Sequence, residues 1–74
     1  MNKKAQHVVL RGNRWAVRST GSLRASGLYD TQKEAITVAR ERARSQGTEL
    51  FIHGEDGRIR LRDSYGNDPV PPKG

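Results

Sequence analysis

The chain has 74 residues, no cysteine, a formal net charge of +6 and 32% apolar residues, with four aromatics: Trp15, Tyr29, Phe51 and Tyr65. A domain of that length removes only about 60% of its unfolded-chain surface from water, which leaves room for little more than one helix on one small sheet. The missing thiols exclude disulfides, thiolate catalysis and cysteine-based zinc sites, and no apolar run is long enough to cross a membrane.

The positive charge comes from ten arginines and four lysines against eight acids. A field of that sign attracts polyanions, and arginine favours forked contacts to phosphate or carboxylate. Met1-Asn2-Lys3-Lys4 runs into the polar Ala5-Gln6-His7 rather than into an apolar leader segment, so a cytoplasmic protein is expected.

Residues 1–6 have no periodicity and read as a disordered start, followed by one domain over 7–63. His7 to Arg11 and Arg14 to Arg18 are strand-like runs separated by Gly12-Asn13, a two-residue hairpin loop. Counting outward pairs Leu10 with Trp15 and Val8 with Val17 on one side. The other side pairs Arg11 with Arg14, Val9 with Ala16 and His7 with Arg18. Arg24 to Leu28 can add a short third strand, since a bare stretch from Ser19 to Asp30 would be unusual in so compact a chain.

Thr31-Gln32-Lys33-Glu34 fits a helix-capping box, and Asp30 suits the positive end of the helix dipole. Ala35, Val38, Ala39 and Ala43, flanked by Ile36, make one apolar stripe, and Gly47 supplies a left-handed stop. Small side chains let such a helix sit close to a sheet, with Trp15 and Leu50 filling the gap. Lys33, Arg40 and Arg44, interrupted by Glu34 and Glu41, read as a solvated helix face.

Leu50 to His53 and Arg58 to Arg62 form a second strand pair around Asp56-Gly57. Counting from a two-residue loop pairs Ile52 with Leu61 and Gly54 with Ile59 on one face. On the opposite face it pairs Glu55 with Arg58, His53 with Arg60 and Phe51 with Arg62. The segment 64–74 is rich in proline and glycine and reads as an extended tail.

The expected architecture is therefore α+β: hairpin, helix, hairpin, with a mainly antiparallel sheet of four or five strands carrying one helix on one face and the strand order open. If the helix covers the Val8, Leu10, Trp15, Val17, Ile52, Ile59 and Leu61 side, the uncovered side gathers Arg11, Arg14, Arg18, Arg58, Arg60 and Arg62, with Phe51 and His53 among them. Guanidinium groups around an exposed ring suit single-stranded nucleic acid, in which phosphates take paired donors and bases stack. An ordinary solvated sheet face, or one that forms a homodimer or takes a protein partner, has the same alternation. His7 and His53 both fall on this side, but two histidines at arbitrary separation do not define a metal site. Neither a metal nor a cofactor is expected. No acid, base and nucleophile spacing points to an enzyme.

His7-Val8-Val9, Trp15-Ala16-Val17-Arg18, Asp30-Thr31-Gln32 with Glu34-Ala35, Gln46-Gly47, Ile52-His53-Gly54, Asp56 to Arg60 and Asp63 to Pro69 together resemble the small bacterial family of unknown function numbered two-one-eight-eight. The resemblance runs from His7 to Lys73, and Leu10 stands where that family's pattern has proline. It implies a bacterial or phage origin and carries over no activity. The elaborate final motif implies that Tyr65 and Pro69 dock on the domain or on a partner.

Overall fold

A computed structural model describes residues 4–22 and 24–65. The elements are β1 (Gln6–Arg11), β2 (Arg14–Ser19), β3 (Gly27–Tyr29), α1 (Gln32–Gln46), β4 (Glu49–His53) and β5 (Ile59–Ser64). They form an α+β fold with one five-stranded sheet in the order β3-β2-β1-β4-β5. The β1–β4 pair is parallel and the other three are antiparallel. No helix among the described residues is long and apolar enough to cross a membrane.

The order follows from which edge the first hairpin leaves open. Strand β3 pairs with β2, Tyr29 opposite Trp15 and Leu28 opposite Ala16, so of the first hairpin's own two edges only that of β1 stays open. Helix α1 then carries the chain back along the sheet, and β4 joins β1 in the same direction, with His7 opposite Phe51. Strand β1 thereby becomes the centre, which explains the full burial of Gln6 and Val8. Gln6 was expected in a disordered start; instead it opens β1, and the Ala5 carbonyl before it accepts from the Thr20 amide at 3.0 Å.

The helix ends are local chemistry. The Thr31 hydroxyl accepts from the Glu34 amide at 3.1 Å, with Thr31 itself extended. At the other end Gly47 takes φ 65°, its amide donating to the Arg44 carbonyl and the Thr48 amide to that of Ala43, a paired left-handed stop that relieves two orphan carbonyls. Ala35, Ala39 and Ala43 are fully buried against Val8, Trp15, Val17, Leu50 and Ile52. Alanine lets the helix approach the sheet, and Leu50, the largest fully buried side chain, fills the space beneath. Tyr29 and Tyr65 pack at the margin of this core.

The first hairpin keeps the pairing counted from its two-residue loop at every position from His7 and Arg18 to Arg11 and Arg14. The second departs from the count at its tip. Its loop has three residues, Glu55-Asp56-Gly57, closed by the Gly54 amide on the Arg58 carbonyl at 2.8 Å. The Asp56 carboxylate accepts from the Arg58 amide at 3.1 Å, and Gly57 takes φ 85°, a conformation open to glycine. His53 therefore pairs with Ile59, not Arg60, while Ile52 pairs with Leu61 and Phe51 with Arg62 as counted. The extra residue, Arg60, forms a bulge that returns Leu61 to the helix side. Without it every later side chain of β5 would change face.

Candidate nucleic-acid interface

The side of the sheet away from α1 is organised in two cross-strand rows. One is Arg18, His7, Phe51 and Arg62 on β2, β1, β4 and β5. The other starts with Leu28, Ala16 and Val9 and continues, one step along the parallel register, to His53 and Ile59. Arg11 and Arg14 form a cross-strand pair at the hairpin end. Of the arginines expected here, Arg11, Arg14, Arg18 and Arg62 share this face, and Arg58 sits beside it at the β4–β5 turn.

Arg60 does not. Its guanidinium stem lies against Gly54, where an added Cβ would stand 2.5 Å from Nε, and it lines a groove with Trp15, Gln32, Ile36 and Leu61 on the helix side. The bulge is the cause: Arg60 is the residue left out of the ladder, and its stem covers the sheet beyond the reach of α1. Ile59 makes the reverse exchange. Expected in the core, it stands on the open face, 55% exposed.

The rings form a chain of contacts. His7 stacks on Phe51 with centroids 5.1 Å apart and planes at 17°. The Arg62 guanidinium carbon lies 5.7 Å from the Phe51 centroid, while Arg62 also reaches Glu49 at 3.5 Å. The Arg62 side chain of that ion pair is exposed and that of Glu49 partly so, and the contact is long, so it is weak and readily exchanged. Arg14 with Asp30 and Arg58 with Asp56 are similar exposed pairs. Arg11 and Arg18 have no ion-pair partner among the described residues.

His7 Nδ1 lies 3.2 Å from His53 Nε2, His7 Nε2 lies 2.8 Å from Thr20 Oγ1, and His53 Nδ1 lies 3.3 Å from the Gly57 carbonyl. Burial, then the neighbouring His53, then the Arg18 guanidinium hold His7 below the usual imidazole value of 6.5. A hollow of about 330 Å³ opens here, lined by His7, Val9, Arg18, Thr20, Gly21 and His53. Among the described residues no three metal-ligating side chains converge.

Sequence reasoning missed Thr20 and Glu49. Thr20 was within reach: extending the first hairpin by two pairs beyond His7 and Arg18 brings Ala5 opposite Thr20. The contact between His7 and His53 had no local signal, because it depends on the β1–β4 pairing. Tyr65, expected to dock, is half-buried against the core, and its amide donates to the Thr48 carbonyl at 3.2 Å. Pro69, assigned to the same docking motif, lies outside the described residues, as does the rest of the tail beyond Tyr65.

Residues 6–65 match the family described as "Uncharacterized protein conserved in bacteria (DUF2188)". The chain is also 41% identical over 64 residues to the "Uncharacterized protein YdaT" of Bacillus subtilis (strain 168), an alignment that covers 86% of this chain and 43% of that protein. The chain thus spans less than half the length of this curated relative. No solved structure matches. With the match running from the buried Gln6 that opens the central strand to the Tyr65 that closes on the core, the chain belongs to the bacterial family DUF2188.

Proposed function

We propose that this protein is a non-catalytic binder of single-stranded nucleic acid, using the sheet face opposite α1. The observation that carries the reading is the row Arg18, His7, Phe51, Arg62, in which two rings stand between a half-buried and an exposed arginine. Phosphates take up Arg18 and Arg62, with Arg11, Arg14 and Arg58 extending the basic track along one end. One flank of Phe51 is held by His7, so a base reaches the ring by displacing the Arg62 guanidinium. The exposed bond from Arg62 to Glu49 offers little resistance to that exchange. Arg60, on the helix side, has no part in this track.

Titration of the purified protein with single-stranded and duplex oligonucleotides at two ionic strengths tests the reading. Binding that favours the single strand and weakens steeply with salt is the expected result. Absence of binding at low salt overturns it.

A protein-contact reading rests on a different observation: Leu28 is 48% exposed and Ile59 55% exposed at the two ends of the second row. Apolar side chains on an open sheet next to the edge strand β5 suit a second copy of the chain or a protein partner. Salt-tolerant self-association in sedimentation, lost in Ile59→Lys, distinguishes this reading.

A further inference from the structure

We propose that the hollow between His7, His53, Arg18 and Thr20 is a phosphate site that takes up one proton together with its anion. The ligand is a phosphate group, either a phosphodiester of a bound nucleic acid, which rests on the reading above, or a free phosphate ion.

The hydrogen-bond chain carries the argument. A carbonyl can only accept, so Gly57 makes His53 Nδ1 a donor. In the neutral pair His53 Nε2 then accepts from His7 Nδ1, and His7 Nε2 accepts from the Thr20 hydroxyl. Every group in the chain is satisfied. One added proton reverses the direction without breaking it. His53 now donates from both nitrogens, to Gly57 and to His7 Nδ1; His7 donates from Nε2 towards Thr20; and the Thr20 hydroxyl turns to the Ala5 carbonyl, 3.4 Å away. A second proton would set two N–H groups against each other across 3.2 Å, so uptake stops at one.

The charged surroundings tell against holding that proton without an anion. Arg18 of β2 lines the same hollow, Arg62 of β5 stands beyond Phe51, and Arg58 is at the turn. Glu49 and Asp56 are the nearby acids, each beside one of those arginines. Strand β3 contributes Leu28 to this face, and α1 packs on the opposite side. A phosphate seated in the hollow takes hydrogen bonds from Arg18 and from the His7 Nε2–H, which swings from Thr20 to the anion, while the Thr20 hydroxyl keeps its bond to the Ala5 carbonyl. Its negative charge then holds the proton on the pair.

Proton NMR of the imidazole Hε1 signals, followed through pH in inorganic phosphate and in chloride at equal ionic strength, tests the site directly. The expected result is a midpoint for the pair about half a pH unit or more higher in phosphate, about a threefold difference in affinity between protonation states. That difference should vanish in His53→Gln and in Arg18→Gln, the second of which leaves the imidazole chain intact. A parallel titration with a single-stranded oligonucleotide should show affinity rising by up to about tenfold per pH unit of acidification. Identical midpoints in the two salts overturn the site, even if the oligonucleotide binds well. Shifted midpoints with no oligonucleotide binding at any pH support the phosphate site and remove the nucleic-acid reading.

Discussion

His7 Nδ1 and His53 Nε2 meet at 3.2 Å across the parallel β1–β4 pair, joining two residues 46 positions apart in the chain. Because burial and two neighbouring groups lower the pKa of His7 on folding, the unfolded chain binds more protons than the folded one near that value. The contribution of His7 to stability is therefore complete above about pH 6.5 and is lost as pH falls through the lower folded value. Urea denaturation at pH 7.5 and pH 5 should show this loss in the parent chain and a smaller one in His7→Asn. Equal pH sensitivity in both would remove His7 as the cause.

The bulge at Arg60 separates the arginines of β5 by role. Arg62→Ala and Arg18→Ala should each weaken single-strand binding and reduce the salt slope by about 0.7. Arg60→Ala should leave both unchanged. Fluorescence titrations at several salt concentrations check this, and an Arg60→Ala effect as large as that of Arg62→Ala would contradict the placement of Arg60 on the helix side.

The interior tolerates change of size poorly in both directions. Leu50→Ala should cost about 2–5 kcal/mol by emptying the space beneath the helix. Ala39→Leu should cost about 1–3 kcal/mol by forcing the helix off the sheet at a fully buried position. Chemical denaturation of each variant gives the value.

Gln6 is fully buried in β1, its amide donating to Ser19 Oγ at 3.1 Å and facing Gln46 Oε1 at 3.4 Å, while its own Oε1 has no partner. An unpaired buried acceptor retains its desolvation cost, whereas Ser19 and Gln46 can turn to water. Gln6→Met should therefore leave stability unchanged or raise it by up to about 1 kcal/mol. A thermal melt shifted clearly downward would mean that the amide contributes more than its unpaired oxygen costs.

Features decided within a few residues were legible in the chain itself. The Gly12-Asn13 loop set the whole register of the first hairpin, and Thr31 and Gly47 marked the helix ends, because each acts through bonds to neighbours no more than five positions away. The second hairpin shows the limit. Asp56-Gly57 permits a two-residue or a three-residue loop, and choosing between them moved Ile59 onto the open face and Arg60 onto the other.

From sequence alone came the α+β class, the alanine face of the helix and the gathering of most hairpin arginines opposite it, since alternation along a strand and periodicity along a helix are local properties. Tertiary structure alone decided that β4 lies beside β1, and with it the stacking of His7 on Phe51 and the contact of His7 with His53. Strand order depends on which of the two edges of the β3-β2-β1 unit receives β4, and that choice is made by the assembled sheet and the helix packed on it rather than by any segment alone.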